Sequence, residues 1–377
     1  MKTKFVLFSL LAIVLIGCTL KNESQKKSLK NINATSDNKN LIKVGSMVKK
    51  RAAHSSTLLK DGRILIAGGI AEDGNGNELP MNSAEIFNPE TNEFTAISNM
   101  IEPHCNHTAT LLENGEVLII AGWKPGVRSD ALEIYNPETG EFRLATRLDK
   151  PLQAQNTVLL KNGKILIVGG NSSRSDYQME AFLYDYKTNS FEKTGSLNYG
   201  RMAFTATLLN NGNVLITGGD DGNQILNKAE IYNTATGKFE LTGDLNFNRY
   251  KHGAVLMQNG NVLLAGGSDK NDWNGKYKSS EIYDVNTGKF SVVEMKNERF
   301  KLQEGIVSLT NGNVLVGGGS KTVEMYNSSE NKFIAMGELD DANYYTCLTL
   351  LNNGKVLITG GYNNKIVTTS SAYIFQM

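Results

Sequence analysis

Short apolar runs alternate with polar turns along nearly the whole chain, and one phrase recurs seven times between residues 57 and 361. In each copy an apolar run meets Asn-Gly or Asp-Gly, a second apolar run follows, and Gly-Gly or Ala-Gly closes the phrase, as in Thr57 to Gly69. The first residues of the closing pairs fall at 68, 121, 169, 218, 266, 318 and 360, so the steps are 53, 48, 49, 48, 52 and 42. A period near fifty residues built from strand-length runs predicts radial repetition, one blade per repeat.

The turns predict the strands. Asp61-Gly62, Asn114-Gly115, Asn162-Gly163, Asn211-Gly212, Asn259-Gly260, Asn311-Gly312 and Asn353-Gly354 each separate two apolar runs. Such dipeptides suit two-residue type I′ turns, so seven tight A–B hairpins are expected. A third strand, C, follows, as in Ala84 to Asn88 or Ala229 to Asn233, and a fourth, D, starts at Phe94, Phe142, Phe191, Phe239, Phe290 and Phe333. The seventh repeat ends at Met377 just after its C strand, while Leu41 to Met47 matches the D-strand segments Phe191 to Leu197 and Phe239 to Leu245. Residues 41–48 are therefore expected to complete blade seven and close the ring.

The combination of Asn-Gly hairpin, Gly pair and Glu-Ile-Tyr-Asn strand resembles the kelch repeat, in the form found in the propeller of galactose-oxidase-like proteins. The fold expected is all-β: a seven-bladed kelch-type β-propeller with four antiparallel strands per blade. The resemblance says little about function, because fold and function are separable.

Lys2 and Lys4 precede an apolar run from Phe5 to Ile16 that ends in Leu15-Ile16-Gly17-Cys18. This resembles the lipobox of bacterial lipoproteins. The implied organisation is a signal peptide over 1–17, lipidation of Cys18, a polar tether over 18–40 and the propeller over 41–377. The implied location is outside the cell membrane, anchored by lipid to a bacterial envelope membrane on the periplasmic side or the cell surface.

Composition mainly excludes. Lys plus Arg number 39 against 38 for Asp plus Glu, so no basic field invites nucleic acid, and a monomer is expected. With Cys18 acylated, only Cys105 and Cys347 remain, in repeats two blades apart, and no disulfide is expected.

The Asn-Gly face is nearly the same in every repeat and reads as scaffold. The opposite face, where chains enter strand A and leave strand B, varies. Both tryptophans, Trp123 and Trp273, fall in its B–C loops. All four histidines, His54, His104, His107 and His252, lie at or just before strand A, as do Cys105, Arg201, Arg249 and Tyr345. These ten residues are the candidate ligand contacts around the mouth of the central channel. Arg51, Arg201 and Arg249 share one repeat position, and Glu85, Glu133, Glu230, Glu281 and Glu324 another, a recurrence that equally fits a structural network.

Galactose-oxidase-like chemistry would need copper with a Tyr-His pair, and no Tyr-His dipeptide occurs. His104, Cys105 and His107 make an incomplete zinc or copper set, and Asp73 to Glu78 departs from a calcium loop at its sixth position. No nucleophile elbow, phosphate loop or zinc-protease motif is present, so no catalytic residue and no cofactor are assigned. The expected role is a non-catalytic binding module that presents the channel mouth to a glycan or protein. The alternative is an exported sugar-active enzyme on the same face, mutarotase-like or, with less support, a copper oxidase.

Overall fold

The computed structural model describes residues 40–72 and 77–377. The expectations for the signal peptide, Cys18 and most of the tether lie outside the described residues, as does most of the calcium-like stretch.

Seven antiparallel blades of four strands each follow one another in chain order, and the second sheet carries the short strand Trp123–Lys124 as a fifth. Blade 1 consists of Ser55–Leu58, Ile64–Ala67, Ala84–Asn88 and Glu93–Ala96, and blade 2 of Thr108–Leu111, Val117–Ile120, Val127–Asn136 and Glu141–Leu152. Blade 3 uses Asn156–Leu159, Ile165–Val168, Glu180–Asp185 and Ser190–Ser196, and blade 4 Thr205–Leu208, Val214–Thr217, Ala229–Asn233 and Lys238–Leu241. Blade 5 uses Gly253–Leu256, Val262–Ala265, Tyr277–Asp284 and Lys289–Arg299, and blade 6 Ile306–Ser308, Val314–Val316, Thr322–Asn327 and Lys332–Glu338. Blade 7 takes Cys347–Leu350, Val356–Thr359 and Ser371–Phe375, and its fourth strand is Leu41–Ser46, paired antiparallel with Leu41 opposite Phe375. Each A strand lies beside the A strand of the next blade, and the seventh beside the first. The propeller closes through its N-terminal strand as the sequence predicts.

The B strands are the buried centre: Ile64–Ala67, Val117–Ile120 and their counterparts are buried at every position. Both faces of such a strand contact neighbouring blades, so the runs read as continuously apolar rather than alternating. Farther out, C and D strands meet through aromatic pairs such as Tyr135–Phe142 and Tyr232–Phe239, with centroids 4.9 and 4.8 Å apart.

The hairpins differ from the expected type. Gly62 has φ +88° and its N–H donates to Leu59 O, while Leu59 N–H donates to Arg63 O; Asp61 is not left-handed. The loop is thus three residues long, a type I turn followed by a left-handed Gly. The Asn or Asp serves through its side chain: Asp61 Oδ1 accepts from Arg63 N–H at 2.9 Å, and Asn162, Asn211 and Asn353 do the same two residues on.

The Gly pairs join the blades. The second residue of each pair donates its N–H across to the next blade, Gly69 to His104 O, Gly219 to Arg249 O and Gly361 to Arg51 O. A Cβ on Gly68 would stand 2.5 Å from His104 O, so close approach as well as positive φ demands glycine there.

Candidate functional site

Just before each A strand one residue adopts the left-handed conformation. These are Ala53, Asn106, Ala154, Ala203, Lys251, Lys301 and Tyr345, with φ between +48° and +60°. Six backbone hydrogen bonds link them in ring order, Ala53 to Tyr345, Asn106 to Ala53, Ala203 to Ala154, Lys251 to Ala203, Lys301 to Lys251 and Tyr345 to Lys301, at 2.7–3.2 Å. This belt surrounds the channel mouth. Small side chains occupy it at blades 1 to 4, and large ones at blades 5 to 7.

Around the large side chains an aromatic wall assembles. Trp273, on a short 3-10 turn in the blade 5 B–C loop, stands edge-on to Phe300 and Tyr344 with centroids 4.9 and 4.7 Å away. Lys301 Nζ sits 4.1 Å from the Trp273 ring centroid, 4.7 Å from Phe300, 5.3 Å from Tyr362 and 5.6 Å from Tyr345. It donates to the Tyr362 hydroxyl at 2.8 Å and forms no ion pair among the described residues. Burial, reinforced by the positive charge of Lys251, brings the Lys301 amine down to about 8.

Lys251 is differently placed. Its Nζ pairs with Asp272 Oδ1 at 2.7 Å, and the Tyr250 hydroxyl donates to the same oxygen at 2.7 Å. Burial opposes the Asp272 charge, but those two hydrogen bonds outweigh it and hold the carboxyl below its usual range. Burial raises Glu78 above the ordinary carboxylate range, with the Lys301 charge acting in the opposite direction.

Below the belt the channel continues as a cavity of about 70 Å³ lined by His54, Asn106, His107, Gln155, Glu304 and Cys347 among others. Glu304 faces this space and is open to water, yet the ring walls it in from every side, and that confinement pushes its carboxyl up to about 7.

The ten residues expected at the mouth divide into three groups. Trp123, Trp273, Tyr345 and Cys105 do gather there, in one cluster with Phe300, Tyr344 and Tyr362. Cys105 is nonetheless buried beside Trp123, and burial pushes its thiol up to about 12, so it is no ready nucleophile. Cys105 and Cys347 are both free.

His54, His107 and His252 lie lower, each over the first Gly of the preceding blade, where a Cβ on Gly360, Gly68 or Gly218 would meet the imidazole at 2.7–2.9 Å. Their Nε2 atoms engage Thr359, Ser55 and Thr205 hydroxyls at 2.9–3.0 Å. Burial lowers all three, His107 to about 3, so they are neutral packing groups.

Arg201, Arg249 and His104 are corrected to scaffold, because all three are fully buried and committed to a carboxylate. Arg201 pairs with Glu230 at 2.5 Å, Arg249 with Glu281 at 2.8 Å and His104 with Glu133 at 2.9 Å. Arg51–Glu85 and Arg299–Glu324 repeat the arrangement. Each Glu also accepts backbone N–H groups from the segment that leads into the blade, as Glu281 does from Asn246 and Phe247.

Lys251, Lys301, Tyr362 and Glu304 were not singled out by residue rarity. Their signal was positional: lysines stand where other repeats carry alanine, and the sixth repeat carries two extra residues, Gln303 and Glu304.

Two segments, 51–101 and 201–246, match the kelch motif family model. No curated protein matches the chain. Among solved structures, a fungal alcohol oxidase of the AA5 family, in complex with copper, aligns at a TM-score of 0.70 and 16% identity, covering 89% of this chain and 76% of that one. The donor set here does not fit copper. Among the described residues no three His, Cys, Asp or Glu side chains are grouped to hold a metal, and the four histidines are engaged as described above. Repeats, blade architecture and structural likeness together make this chain a seven-bladed kelch-type β-propeller that resembles the galactose-oxidase-like proteins in fold.

Proposed function

We propose that the protein is a lipid-anchored, exported binding module whose channel mouth holds a glycan. One observation carries this reading. Five aromatic rings, Trp273, Phe300, Tyr344, Tyr345 and Tyr362, converge on one side of a mouth whose backbone is fixed by the left-handed belt. Aromatic faces beside polar tips suit the apolar faces and hydroxyls of sugar rings, and a rigid frame lowers the ordering cost of binding. The Cys18 anchor, implied by its lipobox-like surroundings, would keep the module at a membrane surface.

A glycan array probed with the full chain tests the reading. Trp273→Ala is expected to abolish most of the signal while leaving the melting temperature within a few degrees. Binding that survives both Trp273→Ala and Trp123→Ala refutes it. Labelling with a palmitate analogue, lost in Cys18→Ala, tests the anchor separately.

An enzyme acting on sugars at the same face is the second reading. It is favoured by the two groups near the mouth that titrate close to neutrality, Lys301 and Glu304, since acid–base catalysts work best there. Turnover assays on whichever sugars bind distinguish the two.

A further inference from the structure

We infer that the ligand of the channel mouth carries a carboxylate, and that Lys301 is the residue that recognises it. The inference rests on the glycan-binding reading and narrows it to acidic sugars of the uronic type. It starts from the unequal treatment of two neighbouring lysines. Lys251 and Lys301 occupy adjacent positions of the belt, joined by the hydrogen bond from Lys301 N–H to Lys251 O at 2.7 Å. Lys251 has its counter-ion, Asp272, and that carboxylate is further occupied by the Tyr250 hydroxyl. Among the described residues Lys301 makes a hydrogen bond only to a neutral partner, the Tyr362 hydroxyl, although it is just 6% exposed.

A buried cation is ordinarily matched by an anion, because desolvation penalises the charged form heavily. The acids nearby do not fill that role. Asp272 is spent on Lys251 and Tyr250. Glu78 acts on Lys301 only through space, without a hydrogen bond or ion pair to it among the described residues. Among the described residues, Lys301 is therefore the belt lysine whose ammonium has no carboxylate in contact with it.

The surroundings fit a flat, small anion attached to a sugar. Trp273 and Tyr345 are only half-buried and flank the approach to Lys301, while Tyr362 supplies a hydroxyl next to the ammonium. A carboxylate arriving between these rings would accept from Lys301 Nζ and Tyr362 Oη, a charge-assisted pair, while the ring that bears it lies against the aromatic wall.

The test compares oligogalacturonate with its carboxyl-reduced counterpart by titration calorimetry, using the full propeller, Trp273→Ala and Lys301→Met. Methionine keeps the length and apolar character of the lysine stem inside the cage, so folding is checked by an unchanged melting temperature. Oligogalacturonate should bind the native protein at least about tenfold more tightly than the reduced form, and Lys301→Met should bind the two forms alike. If Lys301→Met itself unfolds, the native protein's preference and its loss on raising the pH through about 8 carry the test. Equal binding of both forms to the native protein, with Trp273 still required, overturns this inference and leaves the glycan reading standing. A preference that persists in folded Lys301→Met also overturns it. Absence of binding to either form, together with a silent glycan array, removes both.

Discussion

Replacing Arg249 with leucine isolates what ties the segment entering a blade to that blade's own B and C strands. Arg249 is fully buried just before the A strand of blade 5: Nη2 meets Glu281 at 2.8 Å, and Nη1 donates to Gly266 O at 2.5 Å and Ser279 O at 3.1 Å. Arg249→Leu strands a buried carboxylate and leaves two carbonyls without their donor. Breaking one side of a buried pair costs about 3–5 kcal/mol, which at roughly 2 °C per kcal/mol for a chain of this size lowers Tm by about 6–10 °C. The chain contains its own control. In blade 3 the equivalent positions are Leu152 and Phe182, so an apolar pair already serves there. Arg249→Leu combined with Glu281→Phe should recover most of the loss, short of about 1–2 kcal/mol for the Asn246 and Phe247 N–H groups that Glu281 accepts. Thermal unfolding at fixed scan rate for the four members of the cycle gives the coupling directly. A single-mutant loss under about 1 kcal/mol, or strictly additive losses, refutes the argument.

Three further outcomes are expected. The folded-state pKa of His107 is near 3 and those of His54 and His252 are also depressed, while unfolded histidine titrates near 6.5, so the unfolded chain binds protons that the native one refuses; stability should fall as pH drops below about 6.5, by up to about 1.4 kcal/mol per unit for each. His107→Gln, which copies Gln155 in blade 3, should flatten that slope, and an unchanged slope in denaturant titrations counts against it. Glu304→Gln should raise Tm at pH 8 and leave it nearly unchanged at pH 4, because a raised carboxyl destabilises the fold only above the unfolded pKa of 4.5, where the unfolded chain gives up a proton that the native one keeps; an equal gain at both pH values contradicts this. Removing residues 19–48 takes away strand Leu41–Ser46 and the buried Leu41 and Met47, a loss of roughly 4–10 kcal/mol from those two side chains, and a native-like melting curve would disprove closure by this strand.

Blade number, strand order and ring closure were legible because each rests on local chemistry repeated seven times. The hairpin type was misjudged for a definable reason: Asn-Gly serves two turn geometries, and only one of them makes the asparagine left-handed. The site was half legible. Rarity in composition found Trp273 and position before strand A found Tyr345, but rarity also promoted the histidines, three of which fill the space above a glycine rather than facing a ligand. Lys301 escaped because register, not rarity, marks it. The left-handed residue lies 15 residues before the first residue of the closing pair in six repeats and 17 before it in the sixth, where Gln303 and Glu304 intervene. The same shift separates Arg299 from its equivalents Arg51, Arg201 and Arg249.

The left-handed belt has a consequence for how such a protein changes over time. Its bonds are made by main-chain N–H and C=O groups, so they do not depend on the identity of the side chain, although positive φ favours Asn and unbranched residues over β-branched ones. Change at the belt is therefore open chiefly to unbranched side chains that fit the space at each position, since Ala53, Ala203 and Lys301 are buried. Selection can rewrite the ligand one position at a time within that limit, and a laboratory library of unbranched residues at Asn106, Lys251, Lys301 and Tyr345 would sample new specificities on an unchanged main-chain ring.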